Sequence, residues 1–118
     1  MRLRPAQRVR RTTDFQAMRQ QGRRMDCGHF VLAWRIRLAP DGKPAPARVG
    51  VVASRASVGD AVERNRAKRR LREIFRQHQT LVPANLDLVL TARGSILRAE
   101  FTELAERFAS ACRRLPAA

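Results

Sequence analysis

The chain has 118 residues, 44 % of them hydrophobic, enough for one packed core and too short for two domains of ordinary size. It carries 25 Lys+Arg against 10 Asp+Glu, a formal net charge of +15, so it repels itself when alone and calls for a polyanionic partner. Two widely spaced cysteines exclude a disulfide framework or a cysteine-based metal site, and no apolar run approaches a membrane span.

Only Lys43 and Lys68 are lysines, which leaves 23 arginines among the 25 cations. The planar guanidinium grips phosphate bidentately and stacks on bases. A genome rich in arginine codons accounts equally well for that ratio, but not for the net charge.

Residues 1–11 hold five arginines without apolar periodicity and read as a mobile basic arm. No apolar segment follows them, so they are not a signal peptide, and a cytoplasmic protein with free thiols is expected. Thr13, with Gln16 three residues on, reads as a helix N-cap, and Gly22 as the stop of a short first helix over 13–21. Its apolar face is little more than Phe15, Ala17 and Met18, so the helix must dock to persist.

The stretch 29–37 (HFVLAWRIR) alternates as a strand. Phe30, Leu32, Trp34 and Ile36 share a face expected in the core. The other face, Val31, Ala33, Arg35 and Arg37, is unsuited to a core. Trp34 is favoured as core by this alternation, with base stacking as its other reading. Residues 39–47, with three prolines and a glycine, form a loop. Arg48–Ser54 reads as a strand buried on both faces and therefore central in its sheet.

Asp60 with Glu63 forms a capping box for a helix running to about His78, whose apolar stripe is Ala67, Leu71, Ile74, Phe75 and His78. Leu86–Thr91 is a third strand with Leu86, Leu88 and Leu90 on one face; Asp87 beside them could hold a loop or place an ion. Residues 93–95 turn. A last helix over 98–114 sends Phe101, Leu104, Ala105, Phe108 and Cys112 inward. This order defines a small α+β sandwich of helices on a sheet, one domain over 1–118.

The segment Arg64-Asn65-Arg66-Ala67-Lys68-Arg69-Arg70-Leu71-Arg72-Glu73 concentrates the charge. On a helix, Arg64, Lys68 and Arg72 align at i, i+4 and i+8, with Asn65, Arg69 and Arg76 one step round. Like charges at that spacing destabilise a helix unless an anion lies across them. A run of mixed sign would read as a solvated face; this one is single-signed and regularly phased. Asn65 is a poor helix-interior residue whose amide suits a base edge, a 2′-hydroxyl or a backbone group. No catalytic residue is assigned: Asp60 and Glu63 read as caps, His29 and His78 have no ligand-spaced partner, and no HExxH, glycine-rich phosphate loop or Ser-His-Asp set is legible. The rivals to RNA binding fare worse. An independent nuclease needs clustered carboxylates or a histidine pair. A membrane-active helix needs a broad apolar face free of the core.

Arg64-Asn65-Arg66 followed by Lys68-Arg69 and Arg72-Glu73 resembles the signature helix of the bacterial ribonuclease P protein family. Thr13–Phe15 with Gly22, Val49–Val51 through Ser54-Arg55, Gly59–Val62 and Asp87–Arg93 extend the resemblance over about residues 8–115. It implies a four-stranded sheet with three helices and a left-handed βαβ crossover, so that one short strand escapes the periodicity. It also implies a role: binding the catalytic RNA and assisting endonucleolytic removal of the 5′ leader of precursor tRNA. The RNA performs the hydrolysis with Mg²⁺, and no membrane or obligate protein partner is implied. A ribosomal-type structural RNA binder is the alternative function.

Carried onto this sequence, Arg64, Asn65, Arg66, Lys68, Arg69 and Arg72 contact the catalytic RNA. Phe15, Val31, Ala33 and Arg35 line the leader cleft, with Arg55 and Arg93 at its rim. Arg19 and Ala33 stand where the family often has aromatics, and Gly94 where a second cation often follows Arg93. Leader contact is therefore expected to be more electrostatic and less dependent on stacking.

Overall fold

The computed structural model describes residues 22–37 and 41–116. The expected basic arm, the first helix and Phe15 lie outside the described residues. Four strands, β1 (Arg23–Asp26), β2 (Phe30–Ile36), β3 (Arg48–Val52) and β4 (Leu86–Ala92), form one sheet in the order β1-β2-β4-β3. β1, β2 and β4 are antiparallel neighbours, whereas β3 runs parallel to β4. Helix α1 (Ala61–His78) makes the crossover between those parallel strands, and α2 (Phe101–Cys112) follows β4 after a 3₁₀ turn at Gly94–Leu97.

The strand that periodicity did not reveal is β1, whose RRMD sequence has no apolar alternation. Its turn into β2 makes it a strand. Gly28 takes a positive φ of 85°, its N–H donates to Asp26 Oδ1 at 2.8 Å, and Cys27 N–H donates to Phe30 O at 2.9 Å.

One sheet face is the core. Phe30, Leu32, Leu86, Leu88 and Leu90 are fully buried against Ala67, Leu71, Ile74 and Phe75 of α1 and Leu104, Phe108 and Ala111 of α2. Trp34 packs against this cluster half-buried, but Ile36, expected inside, is 49 % exposed because β2 ends there, at the rim of the helical layer. Ala105 is likewise only half-buried. The last helix is shorter than expected, since residues 94–97 coil as 3₁₀ and α2 begins at Phe101.

The strand at 48–52 is not central but an edge, paired on one side with β4 alone. Val49 and Val51 pack toward the helices, while Val52 joins Ala33 and Val89 in a small apolar patch on the opposite face. Its two-sided apolar pattern reports apolar neighbours on both faces of the sheet, not strands on both sides.

α1 starts where the sequence expects. Asp60 Oδ1 accepts from Glu63 N–H at 2.9 Å, and Glu63 Oε1 accepts from Asp60 N–H at 3.3 Å. Gly59 precedes the cap at φ 133°, where a Cβ would lie 2.5 Å from Glu63 Oε1. Gly94 serves close approach, since a Cβ there would sit 2.6 Å from Ser57 O. That approach brings the turn after β4 against the turn before α1, and a cation at this position would break it.

Candidate nucleic-acid interface

α1 carries its charge on a scaffold that cannot roll over. Each fully buried side chain of its apolar stripe contributes about 1.5–3 kcal/mol, against about 0.2–0.5 kcal/mol for each like-charge i, i+4 pair. Burial of Leu71, Ile74 and Phe75 therefore wins, and the cations are held outward. Asn65, Arg66, Arg69 and Arg72 are exposed, and Arg64 and Lys68 flank them half-buried. The six residues expected to meet the catalytic RNA thus share one helix, and none of their side chains is fully buried.

Several cations of the segment have structural partners. Arg66 Nη2 donates to Leu97 O at 3.2 Å, Arg70 Nη2 donates to Ala99 O, and Arg64 Nε reaches Asp60 O at 3.4 Å. Arg66 and Arg70 thereby lash α1 to the segment leading into α2. Glu73 pairs with Arg76 and accepts from Gln77 at 2.9 Å; these bonds hold its carboxyl down at about 2.

The second face is the side of the sheet turned away from the helices. Strand register puts Val31, Ala33 and Arg35 of β2 on this face together with Asp87, Val89 and Thr91 of β4 and Arg48 of β3. Three of the residues expected to line the leader cleft are therefore neighbours. Arg93 lies at the end of the β4 row, where its guanidinium forks onto Asp26 (Nη1–Oδ1 2.8 Å, Nη2–Oδ2 3.0 Å) and reaches Gly28 O at 3.0 Å. The Arg93 hydrogen bonds, then the Gly28 N–H, lower the Asp26 carboxyl. Both side chains are about half exposed, so the pair adds little stability and can exchange with a phosphate. Arg55 sits exposed in the turn after β3.

Arg35 does not simply line a groove. Its Nε and Nη2 lie 3.2 and 3.0 Å from Asp87 Oδ2. Asp87 also accepts from Arg37 Nε at 3.1 Å and, bidentately, from Arg48 Nε and Nη2, both at 2.8 Å. It is fully buried. Burial works to raise its carboxyl, but the Arg48 hydrogen bonds and charge, with the charges of Arg35 and Arg37, overcome that and hold it below its ordinary value of 3.8. The sequence offered Asp87 a loop or an ion; it holds three guanidiniums.

A second unforeseen tether joins His29, whose Nδ1 lies 2.8 Å from Ser95 Oγ and whose Nε2 lies 3.1 Å from Glu103 Oε1. It pins the β1–β2 turn to the 3₁₀ turn and to α2. A carboxylate does stand beside this histidine, 74 residues away in sequence. His78 caps inward, with Nδ1 2.9 Å from Ile74 O and its ring edge-on to Phe108 at 6.0 Å. Cys27 and Cys112 are buried free thiols. No helix among the described residues is long and apolar enough to cross a membrane.

An α+β sandwich that fixes one cationic helix face outward and places further arginines on the opposite side of its sheet defines a small RNA-binding protein. The family model for ribonuclease P matches residues 3–116, and the chain belongs to that family, the protein component of the tRNA 5′-processing enzyme. It is 37 % identical over 101 residues to the ribonuclease P protein component of Acidothermus cellulolyticus, covering 86 % of this chain and 81 % of that one. The Thermobifida fusca component is 38 % identical over 114 residues, covering 94 % and 77 %. Among solved structures, the RNase P protein from Thermotoga maritima superposes with a TM-score of 0.78 at 28 % identity, covering 93 % of this chain and 98 % of the other. The Staphylococcus aureus protein shares the fold at 23 % identity and a TM-score of 0.73.

Proposed function

We propose that this chain binds the catalytic RNA of ribonuclease P through Arg64, Asn65, Arg66, Lys68, Arg69 and Arg72, and the 5′ leader of precursor tRNA across the open sheet face. Phe15, Val31, Ala33, Arg35, Arg55 and Arg93 form the leader surface. The observation that carries the reading is the single-signed face of α1, held outward by a fully buried stripe. The protein supplies charge and shape, and the RNA performs the hydrolysis with Mg²⁺ in the cytoplasm.

The donor set fits that division. The fully buried carboxylate, Asp87, is already held by three arginines, and among the described residues no three His, Cys, Asp or Glu side chains converge as a metal cage. In this reading Mg²⁺ is held by the RNA.

The test is cleavage of a precursor tRNA at low Mg²⁺ with the cognate catalytic RNA, with and without the protein, and with the protein alone. Cleavage only when both are present supports the reading. An RNA-alone rate unchanged by the protein contradicts it, as does cleavage by the protein alone.

A further inference from the structure

Three segments enclose a pocket of about 510 Å³ beside the first two turns of α1, within the size range of pockets that hold a small ligand. The turn before α1 supplies Ser57, and the helix supplies Glu63 and Arg66. The 3₁₀ turn after β4 supplies Gly94, Leu97 and, at its end, Arg98.

The walls are fixed from behind. Val58 is buried in the core, its N–H donates to Ser54 O at 2.9 Å, and Ser57 N–H donates to Ser54 Oγ at 3.1 Å. Ile96 is fully buried, and Arg98 N–H donates to Ser95 O at 3.1 Å. Gly94 lets the two turns meet, because a Cβ there would strike Ser57 O. Arg66 Nη2 ties the helix wall to Leu97 O at 3.2 Å. The pocket is therefore pre-formed, and filling it costs little in ordering.

Its chemistry matches one ribose-phosphate unit. Two guanidiniums, Arg66 and Arg98, and one carboxylate, Glu63, line it, which leaves one net positive charge, the complement of one phosphodiester. Arg98 is exposed and its side chain makes no ion pair among the described residues. Arg66 keeps donors beyond the one on Leu97 O. Glu63 Oε1 accepts from Asp60 N–H at 3.3 Å, and the carboxylate has acceptor capacity left. A carboxylate repels a second phosphate and suits a hydroxyl, and the 2′-hydroxyl is the donor that RNA has and DNA lacks.

We propose that Arg66, Arg98 and Glu63 form a site for one ribose-phosphate of the catalytic RNA, with the two arginines on the phosphate and Glu63 on the 2′-hydroxyl. The proposal rests on the reading of α1 as the face for that RNA, and it carries the contact off the helix onto the turn after β4. The phosphate contact fixes the register of the RNA on the protein, and the hydroxyl contact selects RNA over DNA.

The test titrates the catalytic RNA, unaltered or carrying scattered 2′-deoxy substitutions, against the full chain and its variants. Arg98→Ala, at an exposed position, should weaken binding about tenfold and lower the slope of log affinity against log salt by about 0.7–0.9, the change for one phosphate. In an Arg66→Ala background the same change should cost about twofold or less, because both arginines hold one phosphate. At one nucleotide of the RNA, loss of the 2′-hydroxyl should weaken binding about fivefold. That effect should vanish with Glu63→Ala and persist with Asp60→Ala, which breaks the same capping pair but keeps the carboxylate. Wild-type binding by Arg98→Ala, or a full tenfold loss in both backgrounds, overturns the shared phosphate site. A 2′-deoxy effect that is absent, or that survives Glu63→Ala, overturns the hydroxyl contact. If Glu63→Ala fails to fold, the Arg66 and Arg98 variants still decide the site. Weakened binding by Arg69→Ala beside unchanged binding by Arg98→Ala overturns this inference alone; unchanged binding by Arg66→Ala, Arg69→Ala and Arg98→Ala sinks the reading of α1 with it.

Discussion

Arg48 and Asp87 lie opposite one another on parallel strands β3 and β4 and meet side-on, Nε to Oδ1 and Nη2 to Oδ2, both at 2.8 Å. The pair ties the edge strand to its one neighbour at the end of the sheet. Arg48→Ala strips the bidentate partner from a buried carboxylate and should cost about 3 kcal/mol, the lower end for breaking such a pair because Arg35 and Arg37 remain. Urea denaturation measures it; a loss under about 0.5 kcal/mol, the range of ordinary surface changes, would show that the other two arginines replace Arg48 completely.

The same carboxylate sets an acid limit. Its folded-state value lies below the ordinary 3.8, so it contributes stability that is fully present above that value and is lost as pH falls through the folded one. Unfolding free energy should therefore fall steeply below about pH 4, where unfolded carboxylates take up protons. Asp87→Asn should flatten that slope. An identical acid slope in wild type and variant would assign the effect to other carboxylates.

The entry to α1 is a local stability element. Asp60→Ala removes the acceptor of Glu63 N–H and should cost about 1 kcal/mol. Gly59→Ala should cost more, because the new Cβ meets the Glu63 carboxylate while φ stays at 133°. Thermal unfolding of the two variants gives the order, and a neutral Gly59→Ala would mean that the turn relaxes freely.

Both thiols should be silent in the native state. Burial, and then the charge of Cys27, pushes Cys112 up to about 12; burial likewise raises Cys27. Alkylation at pH 8 should be slow for both until denaturant is added. Rapid native modification of Cys112 would place it outside the core.

The elements that local chemistry writes into the chain were legible in the sequence. Asp60, Glu63 and the stripe through Phe75 mark α1 within its own stretch of sequence, and with it the phase of Arg64 to Arg72. β1 was not legible, because RRMD becomes a strand only by pairing with Val31–Trp34. The edge position of β3 was misread, since apolar residues on both faces do not say which strands lie alongside. Val31, Ala33 and Arg35 were placed together from one strand's alternation, and the register agrees. The Asp87 cluster and the His29 tether join residues 39 to 74 positions apart and follow only from strand register and helix docking. One signal was present: an aspartate inside an otherwise apolar strand requires partners.

The central claim, that the outward face of α1 binds the catalytic RNA, is tested most directly by titrating that RNA over a salt series with wild type, Arg69→Ala and Arg66→Ala. The plot of log affinity against log salt should be steep for wild type. Each variant should bind more weakly, with a slope smaller by about 0.7–0.9 for every phosphate it no longer neutralises. Urea stability should stay within about 0.5 kcal/mol for Arg69→Ala, which is exposed, and fall by about 1 kcal/mol for Arg66→Ala, which loses its bond to Leu97 O. Unchanged affinity and slope in both variants, with folding intact, would contradict the claim and move the RNA-binding surface off α1.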